Sequence, residues 1–152
     1  VGKRTSSHVS GDLAEVEVFG HLLRTGAAIN SLTGSDTGWD LHLHVPDQIV
    51  DVDSSKSWTM SGHSAHVQVK FRSKANSARV SIGTMKDWIS GSRSGTPTFV
   101  FLLDDAGGLN YLTPCDLQNV VNARPNARAT TKIDLRSAPC HAYRACRIKP
   151  RA

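Results

Sequence analysis

Two short stretches decide the fold: Asp40-Leu41-His42-Leu43-His44-Val45 and His66-Val67-Gln68-Val69-Lys70-Phe71-Arg72. Each alternates apolar and polar residues, the period of a β-strand with one apolar face. Leu41, Leu43 and Val45 fall on one side of the first stretch, and Asp40, His42 and His44 on the other. In the second, Val67, Val69 and Phe71 oppose His66, Gln68, Lys70 and Arg72. Antiparallel pairing would lay the start of the first beside the end of the second, bringing Asp40 to Gln68 and Lys70. A carboxylate, an amide and an ammonium converging there would need mutual pairing or a ligand. The plainer alternative is the solvated outer face of a hairpin.

Outward from this pair, Gly11 to Thr25 has helical spacing, with Ser10 as N-cap, Asp12 in the first turn, and Gly26 as the stop. Its expected apolar side is Leu13, Val16, Phe19 or Gly20, Leu22 and Leu23, and Glu15 lies at its margin. Ala27 to Leu32 reads as a strand, and Thr33 to Gly38 as a loop. The long polar connection from Pro46 to Ser64 carries Trp58 and Met60; connections of this length are mobile or functional. Arg79 to Ile82 reads as a brief extended piece and Met85 to Ser90 as a short helix capped by Thr84. Pro97 to Asp104 is apolar on both faces, which predicts a central strand covered on both sides. Leu109 to Leu112 returns beside it after a Gly-Gly turn, and Pro114 opens a helix to about Ala123. Lys132 to Leu135 is expected as an edge strand. The order predicts an α/β domain, a mixed sheet with helices on both faces. We expect a flexible basic arm at 1–9, one domain at 10–136, and an irregular basic tail at 137–152.

The 152 residues suit one domain with a real core, at 39% hydrophobic and 20% charged residues. No apolar run nears the ~20 residues that span a bilayer, and no signal-peptide pattern opens the chain, so a cytoplasmic location is expected. The net charge of +5 favours polyanionic partners. The three cysteines, Cys115, Cys140 and Cys146, are an odd count, which argues against a secreted disulfide framework. With His141 they fit no standard zinc spacing, so reduced thiols are expected.

The polar set, taken in order, is Gly11-Asp12-Leu13-Ala14-Glu15 on the first helix, Gly38-Trp39-Asp40 at the head of a strand, and Val67-Gln68-Val69-Lys70 on its neighbour. This resembles the PD-(D/E)xK nuclease superfamily, whose fold is restriction-endonuclease-like. The likeness is greatest to its bacterial branch with glutamine in the third position, as in Mrr-like restriction enzymes, and to a bacterial domain often joined to defence proteins. It runs from about residue 10 to 123. The resemblance implies a Mg2+- or Mn2+-dependent endonuclease acting on DNA in bacterial defence or DNA processing, leaving a 5'-phosphate and a 3'-hydroxyl. Such domains often form homodimers when both strands are cut. Glu15, Asp40 and Gln68 would hold the ion through oxygen, the donor that a hard cation prefers, and Lys70 would act on the attacking water and the phosphate. Arg72, Lys74, His42 and Trp58 would contact nucleic acid. His44 shares the face of His42, Asp36 is a candidate outer ligand, and Trp39 could stack on a base. Glutamine in place of a carboxylate removes one charge, so a binding module without catalysis stays open. So does an RNA-cleaving toxin, because such a site reads phosphate rather than the 2'-hydroxyl.

Overall fold

The alternating stretches form an antiparallel pair in the computed structural model, which describes residues 2–32, 39–73, 78–93 and 95–143. The elements are α1 (Ser6–Leu23), β1 (Ala28–Ser31), β2 (Leu41–Pro46), β3 (Met60–Arg72), β4 (Arg79–Ser81), α2 (Ile82–Arg93), β5 (Thr98–Asp104), β6 (Leu109–Leu112), α3 (Pro114–Asn122), β7 (Lys132–Asp134) and β8 (His141–Ala142). The main sheet has the order β1-β2-β3-β5-β6-β8. Strands β1, β2 and β3 form an antiparallel meander. The chain then crosses over through β4 and α2 to place β5 parallel to β3, as a parallel neighbour requires.

The two faces of the sheet bury different helices. Ala14, Val18 and Leu22 of α1 pack with Leu41, Leu43, Ala65, Val67 and Val69. On the other face, Met85, Trp88 and Ile89 of α2 and Leu117, Val120 and Val121 of α3 pack with Val100, Leu102 and Leu112. Strand β5 therefore contributes to both cores, Phe101 and Leu103 to one and Val100 and Leu102 to the other. This matches its unbroken apolar sequence. At the N-terminus of α3, Thr113 and Asp116 form a reciprocal capping box that spans Pro114.

Several expectations are corrected. Helix α1 begins at Ser6, within the expected arm, because Thr5 rather than Ser10 caps it by accepting from the His8 N–H. Its buried stripe runs through Ala14, Val18 and Leu22, while Leu13 and Val16 are 63% and 70% exposed. Small Ala14 lets the helix approach the sheet, and the larger residues one position away are left at the surface. Helix α2 is longer than expected, and Thr84 lies inside it. Strand β3 starts at Met60, so the connection from β2 shortens to 47–59. Strand β7 pairs with β4 in a separate two-stranded sheet rather than edging the main one. The start of the expected irregular tail is ordered: β8 pairs with β6, and Tyr143 packs on the α1-side core. Among the described residues no helix is long and apolar enough to cross a membrane.

Candidate active site

Asp40 immediately precedes β2, and its backbone N–H donates to the Val67 carbonyl. This register sets its carboxylate against the edge of β3. Oδ2 accepts from the Val69 N–H at 2.6 Å and from the Gln68 Nε2 at 2.7 Å. Gln68 is 7% exposed, one of two buried polar residues among those described. Burial pushes the Asp40 carboxyl above its usual range, against the Val69 hydrogen bond and the charge of Lys70, which pull it down.

Glu15 comes from α1, beside the buried Ala14, and is half-buried. Burial raises its pKa, the negative charge of Asp40 raises it further, then that of Asp12, and Lys70 opposes them. Glu15, Asp40 and Lys70 are thus near enough to feel one another's charges, although they arise from α1, the head of β2 and the end of β3. Neither the Glu15 nor the Lys70 side chain makes a hydrogen bond or ion pair among the described residues. Two carboxyls that resist ionisation beside a half-buried, unpaired ammonium are a costly arrangement for structure alone, and characteristic of functional sites.

The oxygens left over suit a hard divalent cation. The Glu15 carboxylate, Asp40 Oδ1 and Gln68 Oε1 accept no hydrogen bond among the described residues, and Mg2+ and Mn2+ favour oxygen donors. No group of three or more His, Cys, Asp or Glu side chains among the described residues is arranged to hold a metal. An ion here would therefore need the amide oxygen of Gln68, a backbone carbonyl or water beside the two carboxylates. The donation from Gln68 Nε2 to Asp40 uses the nitrogen end of the amide and leaves its oxygen end to accept, a feature the sequence does not reveal.

The remaining candidates are placed as follows. Arg72 lies at the end of β3, loosely paired at 4.0 Å with its register partner Asp104. His42 and His44 project from β2 on the side of Gln68, away from α1. Trp58 lies at the far end of the β2–β3 hairpin, half-buried, where its indole N–H donates to the Gly26 carbonyl at 2.8 Å and it packs over the α1–β1 turn. Trp39 is held by a 3.1 Å hydrogen bond to the fully buried Thr98 and stacks on His66. Sequence reasoning did not single out His66 or Thr98; strand alternation could have placed His66 beside His42. Lys74, Asp36, Gly38 and Cys146 lie outside the described residues. Cys115 and Cys140 are free thiols, and His141 pairs with Asp116 rather than with sulfur.

A mixed six-stranded sheet with α1 on one face and α2 and α3 on the other is the restriction-endonuclease-like fold. The chain is similar in structure to the Holliday junction resolvase Hjc of Archaeoglobus fulgidus, an archaeal hyperthermophile. The TM-score is 0.53 at 16% identity, over 82% of this chain and 83% of that one. A bacterial homing endonuclease also aligns, with a TM-score of 0.46 at 12% identity over 97% of this chain and 85% of that one. No family model matches the chain, and no curated protein matches it in sequence.

Proposed function

We propose that this chain is a metal-dependent nuclease domain that hydrolyses phosphodiester bonds in DNA, of the glutamine-bearing, Mrr-like kind. The observation that carries the reading is the hydrogen bond of Gln68 to Asp40 at the head of β2, with Glu15 and Lys70 within electrostatic reach of that carboxylate. The fold shared with a Holliday junction resolvase supports it. Glu15, Asp40 and the Gln68 amide oxygen would hold one Mg2+ or Mn2+, which would neutralise phosphate charge and acidify a bound water. Lys70 would orient the attacking water and stabilise negative charge on the phosphoryl oxygens. The Val69 N–H and the Gln68 amide keep Asp40 in one rotamer, so the acceptor oxygen Oδ1 is set before substrate arrives. A neutral amide in place of a third carboxylate predicts loose metal binding, completed by the substrate phosphate. The setting is a defence or DNA-processing system, with dimers where both strands are cut.

A second reading is a DNA-binding module of the same fold without catalysis. The Gln68 Nε2 donation to Asp40 favours it, because that hydrogen bond already meets part of the carboxylate's need for a partner. Incubating supercoiled plasmid with Mg2+, Mn2+ or EDTA, with and without the Lys70→Ala substitution, separates the two. Metal-dependent cutting that the substitution abolishes supports the nuclease; tight binding without cutting by either protein supports the module. Parallel incubation with total RNA tests the RNA-directed alternative, which cutting of RNA alone would establish.

A further inference from the structure

Beside the candidate site, β2 and β3 carry a continuous row of rings on the face away from α1. Trp39 stacks on His66 with centroids 4.3 Å apart, His66 lies 5.1 Å from His42, and His42 lies 4.9 Å from His44. The register explains the row: His42 opposes His66 and His44 opposes Ser64. Gln68, the next residue of β3 on this face, bonds to Asp40, so the row begins where the site ends.

The three imidazoles are unspent. Neither His42 nor His44 hydrogen-bonds to protein among the described residues, and both are half-buried rather than enclosed. The Nδ1 of His66 is buried with no partner. Buried polar nitrogens are normally satisfied, and an exception calls for an explanation. No arrangement of these side chains suits a metal ion. A row of N–H donors on an open sheet face, leading into a phosphodiester-cleaving site, suits the phosphate oxygens of a strand entering that site.

Resting on the nuclease reading, we propose that His42 and His44 are the track along which the substrate DNA backbone reaches Asp40 and Lys70. Each imidazole donates an N–H to a phosphate oxygen. Trp39 and His66 form the wall that sets the rings, and Thr98 holds Trp39 in place.

The test is the affinity of a fluorescein-labelled 20-base-pair duplex in EDTA, where nothing is cut. The wild type is compared with a His42→Phe/His44→Phe variant, which keeps ring faces and loses donors, and a His42→Gln/His44→Gln variant, which keeps donors and loses rings. The expected result is a Kd about tenfold weaker for the phenylalanine variant, with the glutamine variant within about threefold of wild type. Thermal melting of each variant reports whether it folds. Equal affinity for the wild type and a folded phenylalanine variant overturns the proposal, and so does a wild type that does not bind the duplex. Loss in the folded glutamine variant alone also overturns it, since base stacking would then be the contact. Failure of the nuclease reading is seen separately, as plasmid left uncut by wild-type protein with metal.

Discussion

Substituting Asp40 in two ways separates its structural from its chemical role. In Asp40→Ala the Val69 N–H and the Gln68 amide lose their shared acceptor, and both residues are buried. Hydrogen bonds to a charged group contribute about 1.5–3 kcal/mol each, and an abandoned buried donor costs about 1–3 kcal/mol. Removing the carboxylate also relieves its burial, which offsets part of the loss. The net expectation is a destabilisation of about 2–4 kcal/mol, or a fall in Tm of roughly 5–12 °C for a domain of this size. In Asp40→Asn the amide oxygen accepts the same two hydrogen bonds without the charge. Because the folded-state pKa of Asp40 is raised, the ionised form costs the fold stability at neutral pH, and that cost is lost as pH falls through the folded pKa. The Asn variant should therefore melt at or above the wild-type temperature at neutral pH, with any advantage shrinking on acidification. Both variants should lose at least about 100-fold in plasmid cleavage, and neither should gain the thermal stability from Mn2+ expected of the wild type. Differential scanning fluorimetry from pH 4 to 8, with and without Mn2+, reads all of this. An Asn variant that is destabilised as much as Ala, or that keeps the wild-type response to Mn2+, would refute the reasoning.

Further expectations concern neighbouring groups. Raised carboxyl pKa values at Glu15 and Asp40 mean that metal must displace protons held above the usual carboxylate range; the Mn2+-induced rise in Tm should fade at a higher pH than it would for ordinary carboxylates, as calorimetric titration across pH would show. Trp58→Ala removes the bond to Gly26 and its packing, and should cost about 3–5 kcal/mol in urea unfolding while the folded protein still binds metal at the Asp40 site. Gly26→Ala places a Cβ 3.0 Å from that of Val50 at a φ of +83° and should destabilise by about 1–3 kcal/mol in the same assay. Thr113→Ala breaks the capping box of α3 and should cost about 1 kcal/mol.

The strands at the heart of the molecule were legible because alternation is a local signal with only two phases. Asp40, Gln68 and Lys70 followed once β2 and β3 were paired, since antiparallel register leaves little freedom. Helix α1 was harder. Leu13 and Val16 fit a helical stripe as well as Ala14 and Val18 do, and only the sheet decides which is buried. Glu15 lies beside either stripe, so its candidacy did not depend on which one is buried. The anchoring of Trp58 was not legible, because its acceptor on Gly26 is remote in sequence. The pairing of β4 with β7, and of β6 with β8, depends on long-range contacts between segments too short to carry a periodic pattern. The Gln68 donation to Asp40 is an orientation, which residue identity alone does not encode.

The central claim is that one divalent ion sits at the head of β2, on oxygens of Glu15, Asp40 and Gln68. Anomalous diffraction from a crystal soaked in Mn2+ tests it most directly. The account predicts a peak within coordination distance of Glu15, Asp40 Oδ1 and Gln68 Oε1, weaker or absent in an Asp40→Asn crystal. A protein that cuts DNA with Mn2+ while its manganese peak lies away from Asp40 would contradict it.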